Sequence, residues 1–189
     1  IMDQVADTRT PQGILAVVRM KNWTPEEALR GPAPIVVMAE GMQDPGNVGT
    51  IIRSAEALGA SGVFLAGESV DPYNPKVLRS TMGSIFRLPV VSGIRATRAV
   101  AAARESGLRL IVADPDGHKL PWDLDLSGSV MLAIGNEGAG VSPGLIASAD
   151  ETVRIPMPGR AESLNAAVAA SLLLYEAAKQ RLLQDRCDR

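Results

Sequence analysis

The segment IVVMAEGMQDPGNVGTIIRSAEALGASGVFLAG, residues 35–67, contains one complete strand–helix–strand unit. Its first six residues and its last six, GVFLAG, are short apolar runs of the kind that form buried strands. Between them, the turn-forming residues GMQDPG precede a helix. We expect Asn47 to cap this helix and Gly59 to stop it after Leu58. Two buried strands joined through a helix are typical of a parallel sheet.

The same alternation continues along the chain. We predict further helices at 75–82 and 95–106, a short one from about Ser142, and a long one that Ser163 opens and that reaches Gln184. Further strands are predicted at 87–91, 108–114, 130–135 and 152–156. Strands that alternate with helices indicate the α/β class, with a mostly parallel sheet and helices on both faces.

Residues 1–33 differ from the rest in pattern. One apolar run, GILAVVRM at 13–20, predicts an N-terminal strand, and the polar residues after it predict a linker. We therefore divide the chain into an N-terminal strand and linker, 1–33, and a single α/β domain, 34–189.

Composition narrows the class of protein. Of the 189 residues, 46% are hydrophobic and 21% are charged, which is typical of a folded domain. Cys187 is the only cysteine and His118 the only histidine, so a disulfide framework is excluded and no metal site is expected. No apolar run reaches the roughly 18 residues of a membrane span, and the first ten residues lack the apolar core of a secretory signal. We therefore expect a cytoplasmic protein that does not bind membranes.

The charge of the chain restricts how it can bind nucleic acid. Its formal net charge is −2, which is not typical of a surface covered with cations. Any such binding needs a local basic patch, a second subunit or a further domain.

Three loops that follow predicted strands are of chemical interest, because ligands in open α/β sheets bind beyond the carboxyl ends of the strands. In the first loop and its helix, 44–63, Arg53 lies among apolar neighbours. It is either a surface arginine on an amphipathic helix or a group that binds an anion or a hydroxyl through its five donors.

The second loop, GNEGAG at 135–140, precedes a helix with Ser142 at its cap and Pro143 at its first position. Glycines let the main chain approach a ligand closely. Their spacing here, G-x-x-G-x-G, differs from the G-x-G-x-x-G of dinucleotide-binding proteins. Glu137 is a carboxylate that a simple turn does not need.

The third loop, IPMPGRAESLN at 155–165, joins the last strand to the long helix. Ser163 is a candidate helix cap. Asn165 is expected in the first helical turn, where asparagine is unfavourable unless its side chain has a partner. The small residues that follow are typical of a buried helix, and they also allow close packing against a second subunit.

In this order and spacing, the three loops resemble the SPOUT superfamily of methyltransferases, specifically its SpoU (TrmH-like) branch of RNA ribose 2′-O-methyltransferases. The resemblance rests on N-x-G-x-x-x-R at Asn47, Gly49 and Arg53, on G-N-E-G-x-G at 135–140, and on I-P-M at 155–157 with S-L-N at 163–165. It covers the chain from about Ile35 to Glu176.

The resemblance implies a fold, a cofactor and an assembly. The C-terminal part is expected to form a deep trefoil knot whose loops hold S-adenosylmethionine. The family is homodimeric, which would bring Arg53 close to the cofactor of the other subunit. The positions that match cofactor contacts or adjoin them are Gly135, Ile155, Leu164, Ile134, Asn136 and Met157.

The resemblance also implies a catalytic set, namely Arg53, Glu137, Asn165, Asn47 and Ser163. A guanidinium is a poor base at neutral pH, so we expect Arg53 to stabilise the developing alkoxide and the adjacent phosphate. A water or Glu137 would then receive the proton, while the remaining residues shape the site. Candidate RNA contacts are Arg79, Ser80 and Arg87.

Ribosomal RNA is favoured over transfer RNA as the substrate. DTRTPQGILAVV at 7–18 resembles the segment that joins this domain to an N-terminal RNA-binding domain in longer, rRNA-directed relatives. Residues 1–33 would then be the remnant of a missing RNA-binding domain. Asp114 and His118 lie in the loop DPDGHK after a predicted strand. This loop is either near the site or a solvated turn, and we favour the solvated turn for both residues.

Three other functions are weighed against this one. An NAD-dependent oxidoreductase is disfavoured by the glycine spacing and by the lack of an acidic residue about 20 residues further on. A non-catalytic RNA-binding protein on the same fold is disfavoured by the intact Arg53, Glu137 and Asn165. A base-directed SPOUT methyltransferase is disfavoured by the arginine of the first motif together with S-L-N.

Overall fold

The computed structural model describes residues 13–14 and 16–187, and these form a six-stranded sheet with helices on both faces. The strands are β1 (Ile35–Glu40), β2 (Gly62–Ala66), β3 (Val90–Ile94), β4 (Arg109–Ala113), β5 (Val130–Ile134) and β6 (Glu151–Val153). Their order in space is β3-β2-β1-β5-β4-β6, and each neighbouring pair is parallel. The predicted α/β class is confirmed.

The helices are α1 (Pro25–Ala28), α2 (Pro45–Ala57), α3 (Pro75–Thr81), α4 (Ala96–Glu105), α5 (Pro143–Ala147) and α6 (Ala166–Cys187). Two 3₁₀ turns, Ser84–Phe86 and Pro121–Asp123, precede β3 and β5. Within the described ranges, no helix combines the length and the apolar character that crossing a membrane requires.

Two hydrophobic clusters divide the core along the plane of the sheet. Ile35 and Val37 of β1 belong to the cluster that includes residues of α2, α3 and α6. Val36 and Met38 belong to the other cluster, which includes residues of α1, α4 and α5. Because successive strand residues point to opposite faces, a strand that is buried on both sides is apolar throughout, which explains the continuous apolar runs in the sequence.

The predicted N-terminal strand is wrong for the residues that the structure describes. Residues 13–14 and 16–20 pair with no strand, and Ile14 and Val17 are 87% and 94% exposed. An apolar run forms a strand only where a neighbouring strand accepts its hydrogen bonds. The short helix α1 was not predicted, although Thr24 and Glu27 form a reciprocal capping box around it.

The starts of α2 and α6 differ from the prediction. Asp44, not Asn47, caps α2, because its side chain accepts a hydrogen bond of 2.8 Å from the Asn47 N–H while Pro45 occupies the first helical position. Asn165, not Ser163, caps α6, and its Oδ1 accepts from the N–H groups of Ala167 and Val168 at 3.0 and 3.2 Å.

Two strands are displaced from their predicted bounds. β3 begins at Val90 rather than at residue 87, because Ser84–Phe86 form a 3₁₀ turn ahead of it. β6 ends at Val153 rather than at residue 156, where Pro156 cannot donate a hydrogen bond to a ladder. The trefoil knot stays a prediction, since strand order alone does not define how the chain is threaded.

Candidate active site

A cavity lies at the carboxyl ends of β4, β5 and β6. Its lining includes Ala113 at the end of β4 and Asp114 after it, the start of the glycine-rich loop after β5, and Ile155 and Met157 after β6. The first turn of α6 closes it through Ala166 and Ala169. This is the edge of an open α/β sheet at which ligands bind.

The six residues predicted from the resemblance to contact or adjoin a cofactor all line this cavity: Ile134, Gly135, Asn136, Ile155, Met157 and Leu164. Ile134 ends β5, Gly135 and Asn136 follow it, and the other three lie in the loop after β6. The structure thus places them together, and their role toward a cofactor stays a proposal. Ser163 and Glu137 of the predicted catalytic set line the same cavity.

Asn136 holds the glycine-rich loop in shape. Its Nδ2 donates to the Gly41 carbonyl at 2.9 Å, and its Oδ1 accepts from the Gly138 N–H at 2.7 Å. Its own carbonyl accepts from the Gly140 N–H at 2.8 Å. The side chain of Asn136 is therefore engaged by the protein itself, and it lines the cavity as part of a rigid loop.

Gly135 is required by the same loop. A Cβ atom at this position would lie 2.1 Å from the Gly140 carbonyl carbon and 2.2 Å from the Val141 nitrogen. Gly140 itself has a positive φ of 67°, which favours glycine. The atoms that leave no room for a side chain at Gly135 are thus main-chain atoms of Gly140 and Val141. A larger residue at this position would distort the loop itself.

A chain of hydrogen bonds joins the three motifs beside the cavity. Asn47, in the first turn of α2, donates through its Nδ2 to Glu137 Oε1. Its Oδ1 accepts from Asn165 Nδ2 at 2.9 Å. Glu137 and Asn165 are exposed and Asn47 is half-buried, so this chain lies at the surface. The sequence indicated that the Asn165 side chain needs a partner. The structure gives it two kinds: Asn47, and the N–H groups at the start of α6 that it caps.

The loop after β4 is closer to the site than the sequence indicated. Asp114 lines the cavity, and its Oδ1 also accepts from the Asp116 N–H at 2.9 Å within a tight turn. The predicted turn is consistent with that hydrogen bond, but the prediction did not place Asp114 at the cavity. His118, in the same loop, is exposed and is not among the lining residues.

Arg53 lies outside the cavity. It is exposed on α2, and it makes no hydrogen bond or ion pair with any residue that the structure describes. Its guanidinium is therefore available to a group from outside this chain.

The three candidate RNA contacts lie in and after α3. Ser80 donates to the Lys76 carbonyl at 2.9 Å, and Arg79 is exposed. Arg87 donates two hydrogen bonds to Glu56 of α2, from Nε to Oε1 at 2.8 Å and from Nη2 to Oε2 at 3.2 Å. These bonds lower the pKa of Glu56 below its ordinary value, because Arg87 favours the charged carboxylate.

No group of three or more His, Cys, Asp or Glu residues within the described ranges is arranged to hold a metal ion. The polar groups nearest the cavity are instead amides, hydroxyls and the carboxylates of Asp114 and Glu137.

Comparison with known proteins agrees with these features. Residues 34–175 match the model of the SpoU rRNA Methylase family. A 23S rRNA (uridine(2479)-2′-O)-methyltransferase of Streptomyces viridochromogenes is 40% identical over 96% of this chain and 65% of its own length. A 23S rRNA (guanosine(2553)-2′-O)-methyltransferase of Bacillus subtilis is 40% identical over 90% of this chain and 66% of its own length.

A solved structure is similar as well. The SpoU methyltransferase AviRb from Streptomyces viridochromogenes, in complex with the cofactor AdoMet, superposes with a TM-score of 0.81 at 40% identity, covering 87% of this chain and 67% of that chain. The chain spans about 65% of the length of the curated relatives named above. The family match over more than half of the sequence and the shared fold show that this chain belongs to the SpoU rRNA methylase family.

Proposed function

We propose that this chain transfers a methyl group from S-adenosylmethionine to a ribose 2′-hydroxyl of RNA, with ribosomal RNA as the favoured substrate. One observation carries the proposal: a single cavity gathers the six residues that match cofactor positions or adjoin them, and it lies beside the Glu137–Asn47–Asn165 chain. Two relatives, both 23S rRNA 2′-O-methyltransferases, support the choice of ribosomal RNA. A ribosomal substrate implies a cytoplasmic enzyme.

The lining of the cavity fits this cofactor. Ile134, Ile155 and Leu164 offer apolar surface of the kind that binds an adenine ring. Asp114 and Glu137 place carboxylates at the same cavity, and negative charge is favourable beside a sulfonium cation. When bound, S-adenosylmethionine supplies a methyl group activated by that positive sulfur.

The residues of the chain then align and stabilise the reacting hydroxyl. Arg53 stays protonated at neutral pH, since the pKa of a guanidinium lies above about 12. It stabilises the negative charge that develops on the 2′-oxygen and binds the adjacent phosphate. Glu137, or a water beside it, accepts the proton, while Asn47 holds the Glu137 carboxylate in place.

A homodimer completes the site in this proposal. Arg53 is exposed and does not line the cavity of its own chain, so the proposal places it at the cavity of a second copy. α6 presents Val168, Leu172 and Tyr175 to solvent, 46%, 44% and 60% exposed, at the spacing of one helix face. Burial of this face between two copies would remove apolar surface from water.

The cofactor is tested by calorimetry with S-adenosylmethionine, with NADH as the competing ligand. Leu164→Ala shortens an apolar wall of the cavity and should weaken binding by roughly 1–2 kcal/mol, about five- to thirtyfold. Val18→Ala removes an apolar group that is 58% exposed and does not line the cavity, and it should leave affinity unchanged. Binding of NADH instead of S-adenosylmethionine would overturn the proposal.

The reaction is tested by nucleoside mass spectrometry after incubation with transcribed 23S rRNA and with transfer RNA transcripts. We expect 2′-O-methylnucleosides from the ribosomal transcript. Arg53→Lys keeps the charge but loses the planar fork, and we expect turnover to fall at least tenfold. Near-wild-type turnover of this variant would contradict the role of the planar guanidinium. Detection of a methylated base instead of a 2′-O-methylribose would show that the enzyme methylates bases. RNA binding without methylation would identify a non-catalytic protein.

A further inference from the structure

Charge is distributed unevenly along this chain. The stretch from Pro72 to Arg104 contains six Lys and Arg residues and no Asp or Glu, whereas the whole chain has 21 acidic residues and a net charge of −2. α3 and the 3₁₀ turn after it lie within this stretch. Arg95, Arg98 and Arg104 belong to α4 and its start, on the other face of the sheet. The basic segment beside α2 is therefore 72–87, with Lys76, Arg79 and Arg87. It supplies the local basic patch that the net charge requires of a nucleic-acid-binding protein.

This basic segment packs against the helix that carries Arg53. Gly49 of α2 is so close to α3 that a Cβ atom on it would lie 2.2 Å from Ser80 Cβ. Arg53 follows Gly49 by one helical turn and so lies on the same side of α2. At the start of the same helix, Asn47 reaches Glu137 of the cavity loop. The segment thus lies beside Arg53 and is joined to the cavity through α2.

The acidic residue of α2 that contacts this segment, Glu56, is paired with an arginine. Within the described part of the chain, Glu56 of α2 is bound by Arg87 at 2.8 and 3.2 Å and accepts a hydrogen bond from Ser84 Oγ at 3.2 Å. Its carboxylate is therefore not available to repel a phosphate or to pair with Arg53, which precedes it by three residues. Lys76 of α3 and Arg53 of α2 are both exposed.

Two large apolar side chains between Arg79 and Arg87 in the sequence are exposed. Met82, with a positive φ of 49°, is 69% exposed. Phe86 is 62% exposed, although its neighbours Ser84 and Ile85 in the same 3₁₀ turn are buried. An aromatic ring among cations is the combination by which proteins bind unpaired nucleotides, because bases stack on the ring while phosphates meet the charges.

We infer that α3 and the turn after it form a docking surface for the substrate RNA, on which Phe86 stacks against an unpaired base near the target nucleotide. The inference rests on the proposed function. Arg87 is a positioning residue in it: it holds Glu56 and does not itself bind RNA.

Three variants of Phe86 test the inference. Phe86→Ala and Phe86→Leu remove the ring, and each should weaken binding of transcribed 23S rRNA by about five- to 150-fold, the range measured for loss of one stacked base. Phe86→Trp keeps a stacking ring and should retain wild-type affinity. All three should bind S-adenosylmethionine like the wild type, and the loss should appear in KM for RNA rather than in kcat.

Trp122→Ala is the matched control. Trp122 is 58% exposed in the other 3₁₀ turn, so it resembles Phe86 in size, exposure and local structure. It should bind RNA like the wild type. An equal loss in Trp122→Ala and Phe86→Ala would overturn the inference, because the effect would not be specific to this surface.

Two further outcomes would also overturn it. If Phe86→Ala binds and methylates RNA like the wild type, the surface does not dock RNA, while the proposed function stands on the wild-type activity. If Phe86→Ala instead changes the molecular mass in light scattering, the patch is an interface between two copies. A wild-type chain that neither binds nor methylates the transcript would remove the proposed function together with this inference.

Discussion

Gly49 offers a sharp test of how α2 and α3 are held together. Adding one methyl group, as in Gly49→Ala, places a Cβ atom 2.2 Å from Ser80 Cβ and 3.0 Å from the Val77 carbonyl oxygen. Neither neighbour can rotate away, since one is main chain and the other is fixed directly to it. Ordinary carbon–carbon contacts are about 3.5–4.0 Å long, so the two helices must separate by roughly 1.3 Å or more.

The sign of the effect is opposite to that of a usual glycine-to-alanine change in a helix. Alanine in place of glycine normally stabilises a helix interior by about 0.5–1 kcal/mol. Overpacking a close contact costs about 1–3 kcal/mol. We therefore expect Gly49→Ala to lower the free energy of unfolding by about 1–2 kcal/mol. Turnover should fall as well, because Arg53 lies one turn beyond the displaced contact.

Gly144→Ala is the control for this prediction. Gly144 lies in α5, and a Cβ atom on it would meet nothing within 4 Å. It should raise stability by about 0.4–1 kcal/mol. Urea unfolding of both variants, with the m-value checked for constancy, gives the comparison. A Gly49→Ala protein as stable as the wild type would refute the close packing of α2 against α3.

Three further predictions concern the cavity loop, the cap of α6 and the Glu56–Arg87 pair. Gly135→Ala forces a Cβ atom to within 2.1 Å of Gly140 main chain, so calorimetry should show that S-adenosylmethionine affinity falls more than about tenfold; unchanged affinity would contradict the loop geometry. Asn165→Ala removes a helix cap and should cost about 1 kcal/mol in urea unfolding. Asn165→Asp keeps the cap but cannot donate to Asn47, so a lower methylation rate at unchanged stability reports that contact, and an unchanged rate would argue against its importance. Arg87 lowers the pKa of Glu56 from its ordinary value of 4.5, so the pair stabilises the fold above pH 4.5 and this stabilisation is lost as the pH falls through the lowered pKa. Arg87→Ala should therefore lose less stability on acidification than the wild type does. Identical pH profiles of the urea midpoint in the two proteins would argue against the pair.

The strands were predictable because a parallel sheet buried on both faces needs apolar residues without interruption. β1, β2 and β5 are buried along nearly their whole length, so their runs are visible in the sequence. The helix starts were harder, since Asp44 and Asn47 are both good caps. Pro45 was the signal that decides between them, because proline favours the first helical position and so leaves Asp44 as the cap.

The cavity was only partly predictable from the sequence. The loops after β5 and β6 were found because their residues match motifs, and both line the cavity. Asp114 carries no such mark. It reaches the cavity because β4 lies between β5 and β6 in the sheet, and a linear pattern of strands does not reveal their order in space. The apolar run at 13–20 misled for a related reason, since a pattern does not say whether a strand has a neighbour.

Asn47 explains why the three motifs form one unit. Its amide is the type of group that this position requires, because it donates to Glu137 and accepts from Asn165 at once. Aspartate cannot donate there, and serine is too short to span both partners. One side chain therefore fixes the glycine-rich loop and the cap of α6 against the start of α2. Glu137 and Asn165 lie 90 and 118 residues from Asn47 in the sequence. Arg53 is on the same helix, exposed, and makes no hydrogen bond to these three residues. The proposed contact of its guanidinium with RNA therefore leaves this unit undisturbed.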